Sequence, residues 1–462
     1  MLDLMCQLNG RGNTPYYQQL YLCIRRKIES GEIAPGTKLP SIREFSSTLH
    51  VSKTTIEEAY QQLLAEGYIM SQSRVGYYSL PFEGIFPTHD AQKPAVFRSV
   101  GDAIQNYIDI DFHPARVDTK HFPKNLWRKF YNEVWRESAD RLLFYGNPQG
   151  ESGLREEIAK YVGESRGVRC CADQVIIGSG LHYSIQLLTD VLRSRITSVG
   201  MEHPGYYKVQ TIFERVGLPV QKIPLDPDGL NIPRLRAADV NLVYVTPSHQ
   251  FPEGMVMPYA KRLQLLQWAN ENQGLIIEDD YDGEFRYTER PIPALQGLDT
   301  DDSVIYIGTF SKALAPGIRV NYMVIPRSLL NEFLQLLSQG DSPVSRIQQT
   351  VIQRFMEKHV RRMRRIYRAK HSALMESLLA EMENRVTVTG MGAGLHVALA
   401  VNTALSTDEL IQRAESVGVK VYNLRNSLSD EPRDLPTIHL GFGGLSREQI
   451  QAGIKRLKTA WF

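Results

Sequence analysis

The residues most able to do chemistry lie in Tyr306-Ile-Gly-Thr-Phe-Ser-Lys-Ala-Leu-Ala-Pro-Gly-Ile-Arg-Val320. The run Val304 to Ile307 predicts a buried strand. It leads into a Gly-Thr-Phe-Ser turn that presents Lys312, with hydroxyls at Thr309 and Ser311 and a cation at Arg319. A lysine amine beside phosphate-binding groups is what a Schiff-base cofactor site needs. An ordinary surface loop also yields Ser-Lys pairs, so two further segments bear on the choice. Leu275-Ile-Ile-Glu-Asp-Asp-Tyr-Asp-Gly-Glu-Phe-Arg-Tyr287 ends an apolar strand in three consecutive carboxylates and a tyrosine. Carboxylates at the carboxyl end of a buried parallel strand face the ligand crevice of an open α/β sheet. One of them could keep a pyridine nitrogen protonated; the plainer alternative is a solvated acidic turn. Gln174-Val-Ile-Ile-Gly-Ser-Gly-Leu-His-Tyr-Ser-Ile-Gln-Leu-Leu188 reads as strand, small-residue turn and helix. Backbone N–H groups at such a helix start bind phosphate.

In this order the three segments resemble the fold-type-I pyridoxal phosphate enzymes of the aspartate aminotransferase superfamily. The resemblance implies pyridoxal 5'-phosphate as cofactor, carried by Lys312 as a Schiff base. It pairs Asp279 with the pyridine nitrogen and brings Tyr281 to the ring hydroxyl. Ser179, Gly180, Thr309, Ser311 and Arg319 would hold the phosphate, with Leu181 also in the cofactor site. Glu202-His-Pro-Gly-Tyr-Tyr207 matches the segment whose aromatic stacks on the ring, a role that falls to Tyr206. Tyr145-Gly-Asn-Pro-Gln-Gly-Glu-Ser-Gly-Leu-Arg155 matches a loop that approaches the neighbouring subunit's cofactor. A homodimer is therefore implied.

The elements that position these residues belong to a long chain. Its 462 residues give room for two to four domains and a large core. Lys and Arg number 53 against 51 Asp and Glu, a net charge of +2, so composition names no nucleic-acid or membrane partner. The four cysteines, Cys6, Cys23, Cys170 and Cys171, show no paired spacing, which suits a reducing compartment. No amino-terminal signal or long apolar run appears, so a cytoplasmic protein without a membrane partner or metal site is expected.

Residues from about Thr14 to Leu80 form a separate pattern. Tyr17, Leu20, Ile24 and Ile28 fall at helical spacing, ended by Gly31 and Pro35-Gly36. Ser41 is an N-cap candidate ahead of Ile42, Phe45 and Leu49. Ser52 can cap a third helix that buries Ile56, Tyr60 (or Ala59) and Leu63. Tyr68-Ile-Met and Gly76-Tyr-Tyr then flank a small hairpin. This is a helix-turn-helix with a wing, although a small helical packing domain would show the same periodicity. Residues 1–80 hold eight Lys/Arg against seven Asp/Glu, so charge alone does not decide. Placement is more telling, because Lys38, Arg43, Lys53 and Arg74 fall at helix starts and the wing tip.

Pro35-Gly-Thr-Lys-Leu-Pro-Ser-Ile-Arg-Glu44, Val51-Ser-Lys-Thr-Thr-Ile-Glu-Glu-Ala-Tyr60 and Leu64-Ala-Glu-Gly-Tyr68 resemble the GntR-type winged helix. By that resemblance Ser52, Lys53, Thr54 and Thr55 enter the major groove of double-stranded operator DNA. Arg43 supports the DNA backbone, Lys38 joins the contact surface, and Arg74 and Gly76 sit on the wing. The family usually has Arg where this chain has Lys53, and Lys lacks the bidentate fork to guanine.

The expected organisation is a winged-helix domain over 1–80 and a linker over 81–106. A large α/β domain over 107–384 and a small α+β domain over 385–462 follow. Strands are expected at Val175–Ile177, Ile196–Val199, Leu242–Val245, Leu275–Glu278, Val304–Ile307 and Tyr322–Ile325, alternating with helices. That alternation predicts a mostly parallel sheet with crossover helices. The combination resembles the MocR/GabR subfamily of bacterial regulators. Thr246-Pro-Ser-His-Gln-Phe-Pro-Glu-Gly254 is a further match, and there His249 or Gln250 takes the place of an asparagine near the ring hydroxyl. Aminotransferases commonly carry an arginine that grips the substrate carboxylate where this chain has His439 in Ile438-His-Leu-Gly-Phe442. Either Arg425 or Arg433 replaces it, or the effector is no simple α-amino acid, or His439 is only packed. Arg361, Arg362, Arg364, Arg365 and Arg368 give a basic helix whose default reading is a solvated face. The resemblance implies a regulator that senses an amine, an amino acid or the cofactor itself, without physiological turnover. An active aminotransferase carrying a DNA-binding domain is the alternative.

Overall fold

A computed structural model describes residues 8, 14–72, 75–81, 108–287, 292–424 and 435–462. The chain divides into two units, Met1–Ala103 and Ile104–Phe462. Beyond Pro81, the expected linker lies outside the described residues, as do Arg74, Arg425 and Arg433.

The first unit holds α1 (Tyr16–Glu29), α2 (Ile42–Leu49) and α3 (Lys53–Ala65). An antiparallel hairpin of β1 (Ile69–Gln72) and β2 (Gly76–Ser79) completes it. Ser41 caps α2 in a capping box with Glu44, and the Ser52 hydroxyl accepts from Thr55 N–H, 3.2 Å, at the start of α3. Leu20, Ile24, Phe45, Ile56, Tyr60 and Leu63 are almost wholly buried in one core. Each contributes about 1.5–3 kcal/mol by leaving water. The Tyr60 hydroxyl donates to Pro40 O, 2.9 Å, and its ring meets Tyr77 edge to face at 4.9 Å, which ties α3 to the wing. Cys23 in α1 is disulfide-bonded, which the cysteine spacing did not predict.

The second unit opens with β3 (Ile110–Asp111), α4 (Lys124–Leu142) and α5 (Ser152–Arg166). Next come β4 (Val175–Gly178), α6 (Leu181–Leu192), β5 (Val199–His203), α7 (Tyr207–Arg215), β6 (Val220–Asp226) and β7 (Gly229–Leu230). They are followed by α8 (Ile232–Ala237), β8 (Leu242–Val245), α9 (Tyr259–Asn272) and β9 (Leu275–Asp280). Then come α10 (Leu295–Leu298), β10 (Val304–Thr309) and β11 (Asn321–Val324). Eight strands form one sheet in the order β4-β11-β10-β9-β8-β5-β6-β7. The block from β10 to β6 is parallel, whereas β11 runs antiparallel to both β10 and β4. Ile196 is buried but sits in the turn after α6, where its N–H bonds Leu192 O at 3.0 Å, so that strand begins only at Val199. A buried turn residue and a strand residue look alike in an apolar pattern. β6 and β7 were not expected; β6 is mostly half-buried and lacks a clean apolar run.

The chain ends with α11 (Leu330–Leu337), α12 (Arg346–Met382), β12 (Val386–Thr389) and β13 (His396–Val401). The last elements are α13 (Thr407–Ser416), β14 (Val419–Lys420), β15 (Thr437–Gly441) and α14 (Arg447–Trp461). β12, β13 and β15 form an antiparallel sheet, and β3 pairs in parallel with β14. Phe112 therefore shares a core with Leu395, Leu440 and Trp461 and joins the C-terminal layer rather than the large sheet. Among the described residues, no helix is long and apolar enough to cross a membrane.

Candidate functional site

The carboxyl ends of β4, β5, β8, β9 and β10 open on one cavity of about 580 Å³. An open parallel sheet gathers ligand groups at that edge. The three carboxylates of β9 stay within the strand and are buried, so they are not a solvated turn. Alternation sends Glu278 and Asp280 to one face and Asp279 to the other. Glu278 accepts from Leu295 N–H at 2.8 Å and Gln296 N–H at 2.9 Å. Asp280 accepts from Arg166 Nε at 2.6 Å and from the Tyr306 hydroxyl at 2.8 Å. Asp279 lines the cavity and accepts from the Tyr244 hydroxyl. Burial pushes its carboxyl up to about 7, and the Tyr244 bond only partly offsets this.

Lys312 also lines the cavity, and its Nζ donates to Pro114 O at 2.6 Å. Burial lowers its pKa from the ordinary lysine value, which favours the neutral, nucleophilic amine. Thr309, Ser311 and Arg319 lie in the same wall. The Thr309 hydroxyl donates to the Ser311 hydroxyl at 3.0 Å and accepts from Ser311 N–H at 3.1 Å. Gly180 has a φ of +127°, and a Cβ there would stand 2.2 Å from an Arg319 nitrogen. Only glycine admits the guanidinium. The Gly180 N–H is spent on Asn321 Oδ1, 2.9 Å, so Gly180 offers room rather than a donor. Leu181 lines the cavity and Ser179 is not among its lining residues. Tyr206 lines it too, with its ring edge to face with Phe251 at 4.9 Å.

Tyr281 reaches the cavity, and its hydroxyl donates to His249 O at 2.9 Å. His249 and Gln250 are buried but do not line the cavity. Gln250 Nε2 donates to Pro204 O at 3.0 Å and Phe251 O at 2.7 Å, which fastens the loop. His439 is fully buried, and its Nδ1 accepts from Leu424 N–H at 3.1 Å. It meets the cavity through Leu424, whose side of the wall also holds Tyr422. Sequence reasoning missed Tyr244, Asn321 and His396, all in the wall. Asn321 had a signal, as a lone amide ahead of the apolar run Tyr322–Val324. Tyr244 had none, since it reads as one more residue of an apolar strand. Among the described residues, His249, Asp282 and His396 have ligand atoms within 4.8 Å of one another and could hold a metal ion, which the sequence did not suggest.

In the first unit Ser52, Lys53 and Thr54 are exposed, and Thr55 half-buried, at the amino end of α3. Lys38 and Arg43 are exposed as well. Gly76, at φ +133°, opens β2; a Cβ there would stand 3.2 Å from Lys38 Cε, so Lys38 lies against the wing. In α12, Arg361, Arg362, Arg365 and Arg368 are exposed, while Arg364 Nε donates to Glu284 O at 3.0 Å.

Residues 116–427 match the family described as aminotransferase class I and II, and residues 16–78 match the bacterial regulatory proteins of the gntR family. The chain is 41% identical to the HTH-type transcriptional regulator YdeL of Bacillus subtilis (strain 168), over 100% of both chains. It is 31% identical to the probable rhizopine catabolism regulatory protein MocR of Rhizobium meliloti, over 99% of this chain and 96% of that one. The fold is similar to LysN, the alpha-aminoadipate aminotransferase of Thermus thermophilus, solved with N-(5'-phosphopyridoxyl)-L-leucine. The TM-score is 0.68 at 25% identity, covering 77% of this chain and 92% of that one.

Proposed function

The chain belongs to the aminotransferase class I and II family, preceded by a gntR-type DNA-binding stretch as in the HTH-type regulators it matches, and we propose that it regulates transcription by sensing a small amine through a pyridoxal phosphate site. The observation that carries this reading is that Lys312, Asp279 and Arg319 line one cavity. Pyridoxal 5'-phosphate fits that set. The Gly180 cradle admits the Arg319 guanidinium beside two hydroxyls, which suits a phosphate. A buried carboxyl pushed up to about 7 suits a ring nitrogen that brings its own proton.

When bound, the cofactor supplies a carbonyl carbon open to amines and an electron-withdrawing ring. Lys312 contributes an amine held toward its neutral form. Asp279, oriented by Tyr244, would take the ring nitrogen. Arg319, Thr309 and Ser311 would hold the phosphate, and Tyr206 would cover the ring. Operator binding is assigned to residues 1–80 through Lys38, Arg43, Ser52, Lys53, Thr54, Thr55 and Gly76. The cofactor is assigned to 107–384, closed by 385–462.

The effector proposed is an amine, an amino acid or the cofactor itself. His439 supports an effector that needs no arginine clamp, since its Nδ1 is already used by Leu424 N–H. A cytoplasmic homodimer is proposed, and the exposed run Leu143, Phe144 and Tyr145, 68–86% accessible, supports a partner surface. A ligand shifts operator occupancy only through different affinities for two arrangements of the protein. Physiological turnover is not part of the proposal. An absorbance titration of the cofactor-loaded protein with amines and amino acids tests it. A shift that persists supports sensing, whereas release of keto acid supports the alternative, an active aminotransferase carrying a DNA-binding domain. Removing residues 1–80 should abolish operator binding and leave cofactor absorbance intact. Retained operator affinity would contradict the assignment.

A further inference from the structure

His249 lies behind Tyr281 rather than in the cavity wall. Its Nδ1 is 3.0 Å from the Tyr281 hydroxyl and 3.1 and 3.2 Å from the two carboxylate oxygens of Asp282. The Tyr281 proton is committed to His249 O, 2.9 Å away. The phenol oxygen and the carboxylate near Nδ1 therefore act as acceptors, and Nδ1 carries the proton. His249 Nε2 is buried without a partner. A proton there would leave a buried donor with no acceptor and the Asp282 carboxylate facing a lone pair, a costlier arrangement. The same bonds disfavour a metal ion held through Nδ1, which would take that lone pair and force the proton to Nε2. They also exclude a proton relay across the ring, because one nitrogen serves both Tyr281 and Asp282.

The ring is held from several sides. A Cβ on Gly394 would lie 2.1 Å from His249 Nδ1 and 2.6 Å from Asp282 Oδ2, and one on Gly254 would lie 3.1 Å from Nε2. Asp282 Oδ2 accepts from Leu395 N–H at 3.3 Å, and the His396 ring stands 4.6 Å from that of His249. The loop after β8, the turn after β9 and the start of β13 thus converge on one imidazole. With one proton given and one bond accepted, the Tyr281 hydroxyl keeps one acceptor position.

We infer that His249 and Asp282 are a positioning pair that fixes the Tyr281 hydroxyl at the cavity wall, where it meets the hydroxyl group of a bound pyridine ring. Asp282 holds the imidazole tautomer, and the imidazole N–H holds the phenol oxygen. The inference rests on reading the cavity as a pyridoxal phosphate site.

The test uses full-length, cofactor-loaded protein, with two readouts at fixed pH: the cofactor dissociation rate and the position of the visible absorbance maximum. His249→Asn keeps an amide N–H near the place of Nδ1, whereas His249→Gln moves it toward Nε2. His249→Gln should speed dissociation about tenfold, the loss of one buried hydrogen bond, and shift the maximum. His249→Asn should stay within about twofold of the parent, because the Nδ1-type bond survives. In a Tyr281→Phe background His249→Gln should add nothing, since its target is gone. Equal effects in both backgrounds, or equal effects of Asn and Gln, would overturn the inference. Should His249→Gln not fold, Asp282→Asn takes its place. It should shift the maximum in the parent background and not in Tyr281→Phe, and a shift in both would overturn the pair. Failure of the parent protein to bind the cofactor would overturn the site reading itself.

Discussion

The amino-terminal unit and the cavity of the second unit place their charges in opposite ways. Around α3 the polar residues Ser52, Lys53 and Thr54 are exposed, and the core beneath them is apolar. Around β9 the charges are inside: Glu202, Glu278, Asp279, Asp280, Arg166 and Arg262 are all buried. The difference follows from what each must meet. Operator DNA is a hydrated polyanion, so exposed cations suffice and their effects on binding are nearly additive. A cofactor site must hold chosen protonation states, and burial sets them at the cost of strong coupling among neighbours.

The largest effect expected is in the cavity. Lys312→Ala removes the buried amine proposed to attach the cofactor covalently, so the visible absorbance of the attached form should vanish. A core lesion in the first unit should be nearly as severe but confined to that unit. Leu63→Ala, at a fully buried position, should cost about 2–5 kcal/mol and abolish operator binding, with cofactor absorbance preserved. Loss of both in one calorimetric transition would show that the two units do not unfold separately.

A pH effect should separate the two regions next. Glu202 is buried and its carboxyl is pushed up to about 7, against about 4.3 in an unfolded chain. Between those values the native state binds the extra proton, so this group's contribution falls as pH rises from about 4.3 to about 7. Asp279, at about 7, and Glu284, at about 8, act in the same direction. Glu202→Gln should flatten the decline of stability with pH by up to about 4 kcal/mol, read by denaturant unfolding of cofactor-free protein. Parallel curves for parent and variant would remove Glu202 from the account. The smallest effect belongs to the surface. Lys53→Ala should weaken operator binding by about fivefold to tenfold and reduce the salt slope by about one ion. Lys53→Arg should keep the slope and sharpen discrimination at a guanine.

What the sequence made legible was local chemistry. Ser41 and Ser52 as caps, and Lys312 and Asp279 at strand ends, are settled by neighbours a few residues away. What it did not show depends on distant pairing. β11 enters the sheet antiparallel between β10 and β4, and that brings Asn321 against Gly180. The segment at Phe112 docks with β14, more than 300 residues later, and the following Pro114 carbonyl meets Lys312. Two adjacent polar residues, His249 and Gln250, could not be told apart in the sequence. Their different surroundings, Asp282 and the backbone at Gly394 for His249 and the Pro204 carbonyl for Gln250, are hidden by chain distance.

The proposed regulation requires that cavity occupancy change DNA binding. The direct measurement is operator affinity of the cofactor-loaded, full-length protein at fixed salt, titrated with the ligand that shifts its absorbance. Coupling of the two sites should change Kd by about 5-fold to 150-fold, the usual range, with a matching change in ligand affinity when operator is added first. An unchanged operator Kd alongside steady release of keto acid would contradict it and leave an enzyme that merely carries a DNA-binding unit.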